Sequence, residues 1–491
     1  ALLLCLASLG GLLFGYDTGY ISGVMAMDYF IRTAQSQLEG SDSYPEGSLP
    51  QWNKLLVVGM LSIGTAFGSL VGSDLADYLG RRVTLIIGTA LFLVGVTDEL
   101  ASKHLESLTR GRFETGIAVG VITGVIVVYL TEIAPAHARG YVTCVFQFSV
   151  TVGLLFSSCM TMATRKFWGP ESYRVPIGLQ FLWGTGLLAG LLSLPESPRW
   201  YVKVGRVRRA KLALMSLIGV PIPAKGEEWP KDPRVEEEME DILFNRNARL
   251  AAEAHVTADE ADEDLTVSRY YLSWKKCFQG PWSQPSCSAK RTLFGAALMM
   301  FQQVTGINFI FYFGATFFKQ QGFSNSFVVI VGLTTVNVVS TTVSLIMVPT
   351  VRRRPLLMSG AAAMALCQLT VGLIYGTAQH PQHAPEWLTF TTMIGVSIYI
   401  FSYAATWGPG AWTLLGEIFP METRSRSIGI ATATNWIFNS IACFITPLMV
   451  ERDHGGLGMW VFLIWCGTSI GALAFVYLFV PETYGRTLEE I

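Results

Sequence analysis

The phrase EIAPAHAR occupies residues 132–139, and EIFPMETR occupies residues 417–424. Each closes an apolar run, and each sets an acid, a proline three residues later and an arginine seven residues later in the same order. The offset between the copies is 285 residues, 417 minus 132. A carboxylate at the end of an apolar run is costly to bury unless a cation meets it. Writing that arrangement twice points to a chain built from two related halves.

The flanking sequence agrees. The 491 residues are 51% hydrophobic and 14% charged, with mean hydropathy +0.42, too apolar for an ordinary water-soluble protein. About twelve runs approach the ~20 apolar residues that cross a bilayer. Six lie near residues 2–23, 55–72, 83–100, 113–130, 142–162 and 177–194, and six more near 293–313, 327–348, 356–375, 388–415, 428–450 and 459–480. Between the two sets hydrophobicity collapses and charge rises, with acidic runs at 236–238 and 259–264. Gly80-Arg81-Arg82 against Arg352-Arg353-Arg354, and Pro195-Glu196-Ser197 against Pro481-Glu482-Thr483, respect the same division. The expected class is an all-α membrane protein with about twelve transmembrane helices in two pseudo-symmetric six-helix bundles. The expected divisions are a first bundle at 1–195, a cytoplasmic linker domain with a partly disordered acidic insertion at 196–290, a second bundle at 291–480, and the start of a cytoplasmic tail at 481–491. Ala1 already lies inside the first run, which reads as a trimmed domain rather than a signal peptide.

Charge placement orients the chain. Arg81, Arg82, Arg139, Arg352 to Arg354, Arg424 and Arg426 fall in short loops on one side, with the basic stretch 199–211. That side reads as cytoplasmic with both termini inside, most simply at the plasma membrane, although Arg165, Lys166 and Arg174 fall in an outer loop. The net charge is −1 and no basic patch suggests nucleic acid. Six of the eight cysteines lie in the spans, no CxxC or Cys/His metal spacing appears, and there is no Asn-x-Ser/Thr sequon; buried thiols, no metal and no glycan are expected. Nucleophile elbow and P-loop are absent too, so neither an enzyme nor a cofactor is expected.

The acids of the two quoted phrases need cations. Glu132, Arg139 and the loop of Asp77, Arg81 and Arg82 are expected to form one cytoplasmic gate, and Glu417, Arg424, Arg353 and Arg354 the other. They would hold when the inside is closed and break when it opens; static capping is the plainer alternative. Buried amides are the second signal. Gln147, Gln302, Gln303, Asn308, Asn337 and Asn435 lie inside apolar runs, where an unpartnered amide costs several kcal/mol in the apolar limit. Amides donate and accept, which suits a neutral polyol; bonds between helices are the alternative. Five residues turn an ideal helix by roughly 140° from Gln303 to Asn308, so both face one cavity only if the helix breaks, at Thr305-Gly306. Tyr312 shares the Asn308 face, and Trp412 offers an apolar face beside Gly408, Gly410 and Gly416. Asp17, an acid in the first span, calls for a partner, and Arg112 in the fourth is the candidate, with Glu114 drawn to Arg110. The acid pair Asp98-Glu99 is read as the outer end of the third span.

Several segments resemble the sugar porters of the major facilitator superfamily, particularly fungal hexose transporters: GGLLFGYDTGYISG (10–23), GSDLADYLGRR (72–82), Gly111-Arg112 with Gly116, EIAPAHARG (132–140), PESPR (195–199), FQQVTGIN (301–308), WGPGAWTLLGEIFP (407–420) and PETYGRTLEEI (481–491). The resemblance covers the chain except roughly residues 221–270. It implies the major facilitator fold, a central sugar site at the amide positions above, and alternating access. It also implies a monosaccharide partner, a hexose such as glucose. The buried Asp17 set against Arg112 favours proton symport over facilitated diffusion, although passive fungal hexose carriers of the family the chain resembles keep the same acid, and a monomer is expected. The chain departs from the pattern where Pro349 and Arg352 replace the acid and glycine of the second basic loop. A transporter-like glucose sensor, binding sugar without transporting it, is the alternative class.

Overall fold

The computed structural model describes residues 2–35, 50–134, 139–221, 230, 232–256, 274–280, 287–320, 325–376, 386–419, 423–450 and 455–482. Among them all regular structure is helical. In hydrocarbon this is the backbone's own solution, since a helix satisfies every N–H and C=O within one segment. The first half comprises α1 (Leu2–Val24), α2 (Asp28–Gln35), α3 (Gln51–Leu79), α4 (Arg81–Ala101), α5 (Leu105–Ile133), α6 (Arg139–Thr164), and α7 (Glu171–Gly178) running into α8 (Gln180–Ser193). The second comprises α12 (Ser288–Val304), α13 (Ile307–Gln320), α14 (Ser326–Thr350), α15 (Arg353–Gly376), α16 (Glu386–Ser402), α17 (Gly408–Ile418), α18 (Arg424–Val450) and α19 (Val461–Phe479). Ten stretches are long and apolar enough to cross a membrane. The 23-residue α1 and the composite run 386–418 fill out six spans in each half.

Within the first half α1 packs on α6, and α5 on both α3 and α4. Small residues allow this closeness: a Cβ on Gly15 of α1 would lie 2.9 Å from Val150 Cα in α6 and closer still to its carbonyl. The halves meet along α3 with α18, α6 with α14, and α1 with α13. The largest buried cluster therefore runs through both halves rather than forming two separate cores.

Two spans are irregular, and both irregularities serve the middle of the molecule. The run from 288 to 320 breaks at Thr305-Gly306, where Gly306 has φ +88°, a conformation that costs an L side chain about 1–2 kcal/mol. Between α16 and α17, residues Tyr403–Trp407 form a π-turn.

Between the halves lie α9 (Pro198–Lys203), α10 (Val207–Ile218) and α11 (Pro233–Val256). They share a small apolar core of Val202, Ala210, Leu214, Met215, Val235 and Met239. The Trp200 indole ties this unit to the first half by donating to Asp77 O at 3.0 Å. The acidic run 259–264 lies outside the described residues. Asp98 and Glu99 lie in the last turn of α4, which ends at Ala101, but they face different ways: Asp98 is partly exposed and Glu99 is fully buried. Adjacent helical residues differ by ~100° in direction, and Glu99 takes the inward one.

Candidate functional site

The break at Gly306 creates the site. Ending α12 leaves carbonyls without helical partners. Thr305 O is met by Gln368 Nε2 and by the Tyr399 hydroxyl, both at 2.9 Å, and Val304 O by Thr468 Oγ1 at 2.8 Å. With the break so held, Asn308 Nδ2 donates to Gln303 Oε1, an atom that also accepts from Asn439 Nδ2 at 3.2 Å. Gln303 Nε2 in turn donates to Asn435 Oδ1 at 2.7 Å, and Asn435 Nδ2 to Gln302 Oε1 at 2.9 Å. Gln302 Nε2 caps the π-turn, donating to the carbonyls of Trp407 at 3.0 Å and Gly408 at 3.2 Å. Five amides from α12, α13 and α18 thus form one connected polar wall.

This wall lines a central cavity together with Asn337 of α14, Tyr312 of α13 and Trp412 of α17. Gln147 of α6 faces it from the first half, with Phe14 and Thr18 of α1. All eight substrate-site candidates, Gln147, Gln302, Gln303, Asn308, Tyr312, Asn337, Trp412 and Asn435, border the same space. Among the described residues that line it, none carries a charged side chain. The sequence reading missed Phe14, Thr18, Tyr403 and Trp436, which also line it; Trp436 follows Asn435 directly and packs edge-to-face on Phe14 across the halves, 5.5 Å between ring centres. Thr18 Oγ1 and Trp436 Nε1 are buried with no partner among the described residues. Such a wall offers donors, acceptors and aromatic faces but no ionic partner, which fits a neutral, hydroxyl-rich solute.

Beside the cavity, Arg112 Nη1 donates to Asp17 Oδ1 at 2.9 Å, both side chains fully buried. Arg110 approaches Glu114 at 3.9 Å and Asp98 at 4.0 Å, as the four-residue spacing allows.

At the end carrying the two repeated phrases, the halves are built alike. Arg81 holds Glu132 through Nε and Nη2, each at 3.0 Å, and Asp77 through Nη1 at 3.1 Å. Arg353 holds Glu417 through Nη2 at 2.9 Å and Nε at 3.3 Å, while its Nη1 turns to the Val348 carbonyl. The missing acid follows from Pro349, which stands where Asp77 stands in the first copy. Glu196 accepts the backbone N–H groups of Arg81 and Arg82 at 3.0 and 3.1 Å, and Glu482 those of Arg353 and Arg354 at 3.0 and 3.4 Å. Burial lifts the Glu196 carboxyl above its ordinary range, against the pull of those N–H groups. The guanidinium groups of Arg82 and Arg354 cap the ends of α8 and α19, through the Leu191 carbonyl at 2.8 Å and the Tyr477 carbonyl at 2.5 Å. Arg424 donates to Gly416 O; the side chain of Arg139 lies outside the described residues.

Each of these clusters sits within its own half. The ion pair that joins the halves here is Arg426 of α18 with Asp74 at 3.3 Å and Asp77 at 3.8 Å, beside a Ser425 Oγ bond to Ser73 O at 3.2 Å. Sequence reading noted Arg426 only as a topogenic charge.

Residues 3–491 match the model of the family described as Sugar (and other) transporter. The chain belongs to that sugar transporter family. The chain is 34% identical to the probable glucose transporter rco-3 of Neurospora crassa, over 98% of its own length and 77% of that protein's. It is also 34% identical to the high glucose sensor RGT2 of Saccharomyces cerevisiae, over 99% of its own length and 59% of the sensor's. Among solved structures, the proton:xylose symporter XylE bound to 6-bromo-6-deoxy-D-glucose superposes with a TM-score of 0.77 at 24% identity, covering 100% of this chain and 97% of that one. The relatives are transporters and a sensor, not enzymes, and the superposition establishes the major facilitator fold for this chain.

Proposed function

We propose that the protein carries a hexose such as glucose across the plasma membrane by alternating access, as a monomer, in symport with protons. Both termini and the unit at 196–290 lie on the cytoplasmic side in this reading. The single observation that carries it is the uncharged, amide-lined cavity at the junction of the two halves, with the Asp17–Arg112 pair beside it. The sugar hydroxyls exchange hydrogen bonds with Gln147, Gln302, Gln303, Asn308, Asn337 and Asn435. Trp412 and Trp436 supply apolar faces, and Tyr312 closes the cavity from outside. Rocking of one half against the other then exposes the sugar to one side at a time. Inside, Arg81–Glu132 and Arg353–Glu417 hold helix ends together, and Arg426 with Asp74 and Asp77 closes the seam.

The same likeness to a glucose sensor as to a glucose transporter, 34% in each case, keeps a second reading in play: a receptor that binds sugar and signals through its cytoplasmic segments. One experiment separates these readings. Purified protein in liposomes should take up glucose and alkalinise the external medium as it does so. Uptake without alkalinisation leaves facilitated diffusion; saturable binding without uptake identifies a sensor; neither would refute the reading.

A further inference from the structure

The polar wall has a direction, and backbone carbonyls set it. A carbonyl oxygen only accepts, so the Gln302 group facing Trp407 O and Gly408 O must be its NH2, which leaves Gln302 Oε1 facing Asn435. Asn435 donates there and to Met299 O at 3.2 Å, a further carbonyl, and both of its N–H groups are thereby engaged. Its Oδ1 therefore turns to Gln303, which must donate through Nε2, and Gln303 Oε1 meets the NH2 groups of Asn308 and Asn439. Asn439 is left with Oδ1, which accepts from Ser62 Oγ at 2.7 Å and from Cys443 Sγ at 3.5 Å. The carbonyls at one end thus fix the polarity of every amide along the chain.

Ser62 is the far end, and it belongs to the other half. It lies on α3 and Asn439 on α18, both side chains are buried, and neither is among the described residues lining the cavity. The seam is tight at this point: a Cβ on Gly59, three residues before Ser62, would land on the Phe444 ring of α18. Two donors occupy both lone pairs of Gln303 Oε1. Gln303 keeps one N–H and offers the cavity a donor but no acceptor.

We propose that Asn439 and Ser62 are positioning residues for the site. Asn439 steadies the Gln303 amide, Ser62 of the opposite half holds Asn439, and Gln303 is presented to the sugar as a donor alone. The wall's grip then depends on the seam, because parting α3 from α18 withdraws the Ser62 hydroxyl. This assignment rests on the sugar-site reading above.

Titration of glucose, its monodeoxy analogues and its monofluoro analogues into the purified full chain tests it. The hydroxyl that Gln303 reads only accepts, so wild-type protein should tolerate fluorine better than hydrogen at one ring position or more, since fluorine accepts weakly and cannot donate. Ser62→Ala should weaken glucose binding by roughly tenfold, the effect of losing one neutral hydrogen bond. It should also shrink the deoxy penalty at such a position while the ratios at the others stay as in wild type, and Asn439→Ala should do the same. A merely structural defect weakens all the sugars together and leaves every ratio intact. Ser62→Ala removes only a hydroxyl, so it decides alone if Asn439→Ala does not fold. Unchanged glucose affinity in Ser62→Ala, equal weakening for every sugar, or no position that prefers fluorine to hydrogen would overturn the proposal and leave the sugar site standing. Wild-type protein that binds no sugar would instead defeat the site reading, and this assignment with it.

Discussion

Replacing Gly306 by alanine tests the break that makes the site. The residue sits at φ +88°, where a Cβ costs about 1–2 kcal/mol. That Cβ would also land on the Trp465 indole, 2.7 Å from Cγ and nearer to the fused-ring carbons. To make room the indole must leave its packing on Phe309 and Phe462, 5.6 and 4.8 Å away between ring centres, each such pair contributing about 0.5–1.5 kcal/mol. The total is about 3 kcal/mol. Relaxation by straightening the helix recovers part of it but swings Asn308 away from Gln303 by roughly 140°. Either route depletes the binding-competent form, by roughly a hundredfold at ~1.4 kcal/mol per decade. Glucose titration of purified protein should show that loss of affinity, with a lowered thermal midpoint. Gly332→Ala is the control, since its Cβ would meet nothing within 4 Å. Wild-type affinity in Gly306→Ala, or equal damage in Gly332→Ala, would refute the reasoning.

Three further outcomes are expected. Arg426→Ala removes the ion pair between the halves while leaving Arg81–Glu132 and Arg353–Glu417 in place; accessibility labelling should show more inward-open protein than in wild type, whereas Glu417→Gln should destabilise the second half first. Unchanged conformer populations in Arg426→Ala, or unchanged thermal stability in Glu417→Gln, would contradict these roles. For Glu196, the folded carboxyl binds its proton more tightly than the unfolded one, so its contribution is greatest in acid and falls as pH rises through the folded value. Glu196→Gln should therefore flatten the thermal-stability profile from the ordinary glutamate range upward, and an unaltered profile would contradict the assigned burial effect.

Much of the site was legible because it depends on spacing along one helix. Gln303 and Asn308 demanded a break, and Gly306 was the residue able to supply it. Asp17 demanded a cation, and few arginines lie within spans. The repeated phrases placed Glu132 and Glu417 beside basic loops, and Arg81 and Arg353 meet them. What escaped depends on which way a helix faces. Glu99 and Asp98 differ by one residue, and only packing of α4 against α1 and α5 decides that one turns inward. Arg426 looked like any loop cation until α18 met α3 across the halves. Arg82 and Arg354 read as gate charges, yet their guanidinium groups found helix-end carbonyls, partners that no side-chain pattern announces.

The most direct test of an amide-lined sugar site is calorimetric titration of glucose into purified wild-type and Gln303→Ala protein. Gln303 joins Asn435, Asn308 and Asn439, so its removal unpairs buried polar groups on three partners. Saturable binding in the wild type and its loss in a folded variant are predicted. Equal affinity in the two would contradict a sugar site at this wall.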